Sequence, residues 1–321
     1  MDESIPSWVR VPDGIAFSDV PVRPGGQLPK FAIVGAAKAG TTALNQYLSQ
    51  HPQIFMCPLK EPHFFSTDII YERGLDWYEG LYADASPNAI CGEASTSYTR
   101  FPFTQLTPQR IHAVIPDIKL IYILREPVAR VESECLQEWK YRRYVLNVDS
   151  LPYSCDRILD FLLAQSHTSG TDPIRTSEYI NQIDEYLRFF RREQLLVLFQ
   201  TDLIENPQDT LKKVYRFLDV DSEFIIETSV AKNVTANFTQ GMKNEKLSTV
   251  LNKIPNYSAI KSWIPASIKN SIKGLLTSNM SQVFEPMSDG KRRELAQHFK
   301  PSNDRLADFL NYDLSDWNSS E

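Results

Sequence analysis

The chain has 321 residues, 42% of them hydrophobic and 23% charged, which is typical of a globular protein with one large or two small domains. Its formal net charge of −6 argues against a nucleic-acid-binding protein, and no run of about 18 apolar residues is present to form a membrane-spanning helix. The cysteines show no CxxC pair and no metal-ligand spacing, which indicates reduced, buried thiols in a cytoplasmic protein; they are Cys57, Cys91, Cys135 and Cys155.

The first elements follow an irregular, proline-rich segment, residues 1–29, which is polar and lacks the apolar core of a secretory signal. Residues 30–321 are predicted to form a single domain. Its first element is the short apolar run at 31–34 (FAIV), which is ended by glycine and predicts a buried strand. Apolar side chains then recur at helical spacing over residues 41–50, so the predicted order is strand, loop, helix.

The loop between this strand and this helix, residues 35–42 (GAAKAGTT), is predicted to bind phosphate. Its small residues let backbone N–H groups approach an anion, the helix N-terminus adds partial positive charge, and two threonine hydroxyls can donate. A Walker A loop has its lysine directly after the second glycine, whereas Lys38 lies two residues before Gly40. A nucleoside-triphosphate site therefore fits poorly. A tight glycine turn with a solvent-exposed lysine is the alternative without function.

The loop with its flanks, KFAIVGAAKAGTTAL and HPQIFM, resembles the 5′-phosphosulfate loop of PAPS-dependent sulfotransferases. The likeness is to bacterial sulfotransferases and to the catalytic domains of heparan sulfate N- and 3-O-sulfotransferases. It is sharp over residues 30–135 and continues later only as helix and strand spacing. The resemblance implies a sulfotransferase fold, PAPS as co-substrate, PAP as product, and a donor site that includes Ala37, Lys38, Ala39, Gly40, Thr41 and Thr42.

The next segment, residues 60–65 (KEPHFF), places a cation, a carboxylate and an imidazole together. Sulfuryl transfer needs a base near the acceptor's proton and positive charge on the oxygens that gain charge. The segment resembles the KEVHFF-type motif of glycosaminoglycan 3-O-sulfotransferases, which implies that Glu61 is the base. Lys38 and Lys60 would stabilise charge, and His63 would bind the sulfuryl group or orient the carboxylate. A surface Lys-Glu pair beside a core histidine is the alternative.

Residues 92–98 (GEASTSY) resemble the family's EKTPAYF segment, with one departure. The glycosaminoglycan enzymes have a catalytic-site lysine where this chain has Ala94. Lys60 is the candidate to compensate for the missing charge. Glu93 and Ser95 are predicted either to line the site or to pack beneath it.

The second nucleotide motif follows a strongly apolar strand at 119–124 (KLIYIL). Arg125 stands at the carboxyl end of that strand, where open α/β sheets bind ligands. Pro127 suits the first turn of a helix, and Ser133 lies about two turns into it. Arg125 and Ser133 resemble the family's 3′-phosphate motif. An ion pair of Arg125 with Glu126 or Glu132 is the alternative.

The remaining elements predict an α/β fold. A third strand at 195–199 (LLVLF) follows a helix with Tyr179, Ile183, Tyr186 and Phe190 on its inner face, and further helices are predicted after residue 206 and over 292–310. Alternation of strands and helices predicts a P-loop-like central parallel sheet flanked by helices.

The stretch 246–284 is basic within an acidic protein, because it contains no Asp or Glu and carries Lys246, Lys253, Lys261, Lys269 and Lys273. It predicts a basic amphipathic insert or lid, which would contact an anionic membrane surface peripherally or cover the site. A helix packed on the core with solvated lysines is the alternative.

These patterns together predict an enzyme that transfers a sulfuryl group from PAPS to a hydroxyl or amine of a small-molecule or glycan acceptor, preferably a carbohydrate or glycolipid. The expected reaction is an in-line displacement without a metal, with Glu61 as the base that the resemblance implies. Two other classes stay open. A P-loop kinase would need a Walker lysine and carboxylates for magnesium. A nucleotide-binding protein without catalysis would bind PAP but not turn over PAPS.

Overall fold

The centre of the molecule is a five-stranded parallel sheet. The computed structural model describes residues 22–144, 154–165, 172–227 and 284–318. The strands, in chain order, are β1 Phe31–Gly35, β2 Ile54–Met56, β3 Ile90–Ala94, β4 Lys119–Leu124 and β5 Leu195–Phe199. Their spatial order is β2-β3-β1-β4-β5, and every neighbouring pair is parallel. Because β1 is central, both of its faces are covered and its side chains are buried.

Helices cover the sheet, which confirms the predicted α/β class. In the described residues they are α1 Thr41–Leu48, α2 Asp68–Tyr71, α3 Leu75–Gly80, α4 Thr107–Val114, α5 Pro127–Tyr144, α6 Cys155–Gln165, α7 Pro173–Ser177, α8 Tyr179–Leu187, α9 Gln200–Glu205, α10 Pro207–Leu218 and α11 Asp289–Leu310. The last helix begins three residues earlier than predicted, because Ser288 accepts a hydrogen bond from the Lys291 N–H at 3.2 Å and caps it.

Two strands, β2 and β3, have no counterpart in the sequence-based prediction. The first has only three residues, and β3 (ICGEA) contains a glycine and a glutamate in place of a continuous apolar run. Gly92 in β3 lies against the Phe31 ring, since a Cβ there would come within 2.1 Å of that ring. The glycine therefore makes room for the aromatic side chain of the neighbouring strand.

Helix α5 begins where the sequence predicts, because the side chain of the residue just before it caps its first turn. Pro127 occupies the first helical position, and the Glu126 carboxylate accepts hydrogen bonds from the N–H groups of Val128 and Ala129 at 2.7 and 2.6 Å. One face of α5 contributes Trp139 and Cys135 to a second apolar cluster that also contains Phe299 of α11. Because α5 starts directly after β4, its first turns lie near the carboxyl end of that strand, where open α/β sheets bind ligands.

Some of the sequence-based expectations fall outside the described residues. The irregular segment 1–29 is described only from residue 22, and 22–29 form neither helix nor strand. The basic stretch 246–284 lies outside, apart from Phe284.

All four cysteines are buried and form no disulfide. Among the helices of the described ranges, none combines the length and apolar character needed to cross a membrane.

Candidate active site

The phosphate loop leaves the carboxyl end of β1 and is fixed by groups from the neighbouring strands. The Ala36 N–H donates to the Ile123 carbonyl of β4 at 2.7 Å. The Lys38 carbonyl accepts from the Arg125 guanidinium at 3.3 Å and from the Gln200 amide at 3.4 Å. Lys38 has a positive φ of 73°, a conformation that non-glycine residues adopt uncommonly. Arg125 and Gln200 thus fix the loop at the carbonyl group of Lys38, the residue with this uncommon backbone conformation.

The loop ends in the first turn of α1. Gly40, with φ of 102°, is the N-cap and has no side chain to accept from the first N–H groups of the helix. Thr41 is buried and Thr42 is half-buried at the start of that helix. Backbone N–H groups at a helix N-terminus, together with the helix dipole, are suited to an anion.

The Lys38 side chain contacts a residue that the sequence did not indicate. Its ammonium donates to the Gln137 amide oxygen of α5 at 2.5 Å. Lys38 is half-buried and bound to a residue 99 positions away, which argues against the alternative of a solvent-exposed lysine. The contact directs the lysine towards the helix that follows Arg125.

Arg125 lies just before α5 and Ser133 lies about two turns into it, and both are half-buried. The two carboxylates that could have formed an ion pair with Arg125 are engaged elsewhere. Glu126 caps α5, and Glu132 pairs with Arg292 of α11. Arg125 instead donates to the phosphate loop. These contacts favour the phosphate-binding interpretation of Arg125 over the ion-pair alternative.

The candidate base, Glu61, lies at the carboxyl end of β3. Its Oε2 accepts from the Thr96 N–H at 2.6 Å and from the Thr96 hydroxyl at 2.8 Å. Lys60 Nζ lies 3.4 Å from Glu61 Oε1, and His63 Nε2 lies 3.9 Å from Glu61 Oε2. Burial opposes ionisation of Glu61, but Lys60, His63 and the Thr96 hydrogen bonds outweigh it and hold its pKa at about 2. Glu61 is therefore an anion at neutral pH.

His63 is buried beside Glu61 and is fixed from both its ring and its backbone. Its Nδ1 lies 2.7 Å from the Ser97 hydroxyl, and its N–H donates to Ser95 Oγ at 3.1 Å. Burial lowers the pKa of His63 to about 4, although Glu61 opposes this. The ring is therefore neutral at pH 7, which suits hydrogen bonding rather than charge stabilisation.

Glu93 lies beneath this cluster and does not face solvent. It accepts hydrogen bonds from Ser95 Oγ at 2.7 Å, from the Tyr98 hydroxyl at 2.8 Å and from the Tyr78 hydroxyl. Burial raises its pKa to about 7, against the lowering effect of those hydrogen bonds. Of the two roles considered for Glu93 and Ser95, the packed position beneath the site is the one observed.

The aromatic residues near the cluster belong to the core. Phe64 stacks on Tyr78 with ring centroids 4.3 Å apart. The five that could have stacked on sugar faces are all buried: Phe64, Phe65, Trp77, Tyr78 and Tyr98. None of them is an exposed stacking platform in this structure.

The two halves of the site meet because β1 and β3 are adjacent and parallel. The Ser95 N–H donates to the Ile33 carbonyl at 3.1 Å, and the Thr99 hydroxyl donates to the Val34 carbonyl at 2.9 Å. The segment that binds Glu61 therefore lies against the strand that leads into the phosphate loop. The loop that contains Lys38 and the ionised carboxylate of Glu61 therefore both lie at the carboxyl end of the β1–β3 pair. This arrangement is suited to transfer of an anionic group to a protic acceptor.

Comparisons with known proteins agree with this geometry. A model of the sulfotransferase domain matches residues 28–300. Heparan sulfate glucosamine 3-O-sulfotransferase 5 of Homo sapiens is 30% identical over 230 residues, covering 71% of this chain and 62% of the relative. Heparan sulfate glucosamine 3-O-sulfotransferase 6 of Mus musculus is 33% identical over 192 residues, covering 60% of this chain and 52% of the relative. The chain therefore matches about half to three fifths of the length of these relatives.

A solved structure extends the likeness to almost the whole chain. The sulfotransferase from Alicyclobacillus acidocaldarius superposes with a TM-score of 0.66 at 25% sequence identity. The match covers 91% of this chain and 100% of that one.

Proposed function

The chain belongs to the sulfotransferase family, and we propose that it transfers a sulfuryl group from PAPS to a hydroxyl or amine of a carbohydrate or glycolipid acceptor. Its parallel sheet with flanking helices is the sulfotransferase fold. The observation that supports the proposal is that Thr99, in the 3₁₀ turn whose Thr96 binds Glu61, donates to Val34 of the strand that leads into the phosphate loop. In the proposal, the loop is the anion site and Glu61 is the base.

In this proposal the donor lies along the phosphate loop and the start of α5. Backbone N–H groups from Ala37 to Thr42 and the first turn of α1 bind the 5′-phosphosulfate. Arg125 and Ser133 bind the 3′-phosphate, where a charge-assisted hydrogen bond from a guanidinium is strong. Lys38 reaches the phosphosulfate when it leaves Gln137, and its charge stabilises the phosphate oxygen that departs with PAP.

The chemical step is an in-line displacement at sulfur. The acceptor oxygen or nitrogen forms a bond to sulfur while the bond from sulfur to the 5′-phosphate oxygen of PAPS breaks. Glu61 takes the acceptor's proton, and the electron pair of the broken bond remains on PAP. Lys60 and His63 lie beside Glu61 and assist, Lys60 through its charge and His63 through a hydrogen bond. Lys38 and Lys60 supply positive charge locally, so we propose that no metal ion takes part.

The acceptor class rests on the relatives. Their names state that they sulfate heparan sulfate glucosamine, a sugar residue within a polysaccharide. Ala94 stands where the glycosaminoglycan enzymes carry a lysine, and it is buried in β3. Lys60, half-buried and 3.4 Å from Glu61, is the cation that we propose in its place.

Two measurements test the proposal. Calorimetry with PAP against ATP should show binding of PAP in strong preference, whereas preference for ATP would indicate a kinase. Transfer of labelled sulfate from PAPS should then be measured over saccharide, lipid and phenolic acceptors, with and without a chelator. Transfer to saccharides or glycolipids, unaffected by the chelator, is the expected result. PAP binding without transfer to any acceptor would leave a nucleotide-binding protein and refute the enzyme.

A further inference from the structure

One face of α5 contacts the phosphate loop at two successive residues. Arg130, Glu134 and Gln137 are spaced four and three positions apart, which places them on the same side of the helix. Arg130 Nη1 donates to the Ala37 carbonyl at 3.4 Å, and Gln137 accepts from Lys38 at 2.5 Å. The helix that carries Ser133 and follows Arg125 therefore also holds the loop that receives the phosphosulfate in the proposed function.

Arg130 has no exposed surface and is held by several groups besides the loop. It donates to the Ser177 hydroxyl at 2.6 Å, to the Pro173 carbonyl at 2.6 Å and to Glu134 at 2.5 Å. A guanidinium buried this deeply is kept only when its donors are paired. Its position is thus fixed independently of any single partner.

Glu134 extends this contact to the other half of the site. One of its oxygens accepts from Arg130, and the other accepts from Arg100 Nη1 at 2.6 Å. Burial alone would raise the pKa of Glu134, but Arg100 and Arg130 hold it at about 2. The three residues form a continuous chain of charge-assisted hydrogen bonds, here called the Arg130–Glu134–Arg100 bridge.

Arg100 ends the short 3₁₀ turn Thr96–Thr99, and Thr96 is the residue that binds Glu61 through two hydrogen bonds. The bridge therefore connects the Ala37 peptide of the phosphate loop with the turn that holds the candidate base. Its two outer contacts, Arg130 with Ala37 and Glu134 with Arg100, join α5 to other segments, whereas the Arg130–Glu134 contact lies within α5.

We propose that Glu134 is a positioning residue that fixes the distance between the phosphate loop and Glu61 through the Arg130–Glu134–Arg100 bridge. This inference rests on the proposed function of the same site. The geometry gives Glu134 no direct role in the chemistry, because both of its oxygens face guanidinium groups. Its effect is to keep the donor and the base at the separation that in-line transfer requires.

The experiment compares Glu134→Gln with Arg100→Gln and uses PAP affinity, kcat and KM as readouts. A displacement of about 1 Å in a reacting pair lowers the rate on the order of a hundredfold, so each variant should lose about that much in kcat. PAP affinity should stay near that of the wild-type protein, because Arg130 keeps Ser177, Pro173 and Ala37. Arg100→Lys retains the charge and should recover part of the rate.

The direction in which kcat changes in Glu134→Gln and in Arg100→Gln distinguishes a positioning role from an electrostatic one. One variant removes a negative group and the other a positive one, so an electrostatic role alone would change kcat in opposite directions. A positioning role lowers kcat in both, and the double variant should be no worse than either single one. Opposite changes, additive losses or a parallel loss of PAP affinity would each overturn the inference.

Glu138→Gln is the matched control, because Glu138 lies one turn further along α5 and pairs with Arg142 at 2.5 Å but contacts neither half of the site. It should leave kcat unchanged, and an equal loss there would also overturn the inference. If Glu134→Gln does not fold, Arg100→Gln and Arg100→Lys carry the test. A wild-type protein that neither binds PAP nor transfers sulfate refutes the proposed function itself, and with it the positioning role.

Discussion

Replacement of Glu61 by glutamine is the change that tests the site most directly. The amide keeps the size of the side chain, and its oxygen can still accept both hydrogen bonds from Thr96. What it loses is the negative charge and the ability to take a proton. General base catalysis contributes about 10²–10⁴-fold to a rate, so kcat should fall by that factor. PAP affinity should not change, because Glu61 does not belong to the phosphate loop.

The lowered pKa of Glu61 also implies an effect on the stability of the protein. The pKa of Glu61 is about 2, against an ordinary value of 4.5, and this difference corresponds to about 3 kcal/mol in favour of the anion in the folded protein. The wild-type protein therefore gains this stability above pH 4.5 and loses it as the pH falls towards 2. Glu61→Gln should be less stable by up to about 3 kcal/mol at pH 7, and the difference should vanish in acid.

The assay combines sulfate transfer at saturating donor, PAP calorimetry and thermal unfolding at pH 7 and at about pH 2.5, where most of the stability difference should be gone. Glu72→Gln is the control, since Glu72 is an exposed carboxylate that follows α2 and has no role in the proposed site. If Glu61→Gln keeps most of its transfer rate while PAP binds normally, another group is the base. If PAP affinity falls together with kcat, Glu61 is part of the donor site and the assignment of its role is refuted.

Three further substitutions test the donor site and the buried network. Arg125→Ala should weaken PAP binding at least tenfold, since a hydrogen bond from a charged group is worth about 1.5–3 kcal/mol; unchanged calorimetry in a folded variant would refute the 3′-phosphate role. Lys38→Ala should lower both PAP affinity and kcat, because the cation contacts the donor before and during transfer; a loss confined to one of them would contradict this. Glu93→Gln should abolish the part of the protein's pH-dependent stability that comes from the titration of Glu93. Because burial raises the pKa of Glu93 from 4.5 to about 7, the wild-type protein should lose about 3 kcal/mol as the pH rises between these values, and thermal unfolding at pH 5 and pH 8 would show whether the variant still does.

The parts of the fold that could be predicted from the sequence are those with a strong local pattern. The strands β1, β4 and β5 are continuous apolar runs, and Pro127 marks the start of α5 within one residue. By contrast, β3 contains Glu93, whose burial depends on hydroxyl groups of Tyr78 and Tyr98 from other elements. The local sequence does not reveal these distant partners. A segment with a buried carboxylate, such as β3, is therefore not predicted as a strand from its sequence pattern.

The same limit applies to the site. Glu61, Lys38 and Arg125 follow from short motifs, because each motif places its functional group within a few residues of a strand end. Thr96 is 35 positions from Glu61, and Gln200 is 162 positions from Lys38. Their roles arise only when parallel strands bring their carboxyl ends together. The resemblance of residues 92–98 to the family's EKTPAYF segment is the feature of the sequence that points to the region of Thr96.

The two carboxylates of the site, Glu61 and Glu93, show how the surroundings assign roles that residue type does not. Glu61 has Lys60 and two Thr96 donors around it, and its pKa falls to about 2. Glu93 has only neutral hydroxyl donors and no exposed surface, and its pKa rises to about 7. At pH 6 Glu61 is therefore ionised while Glu93 is largely protonated, so only Glu61 can take a proton from an acceptor. Glu93 contributes instead through Ser95, whose oxygen accepts the His63 N–H, and this links the buried carboxyl to the loop that carries the base.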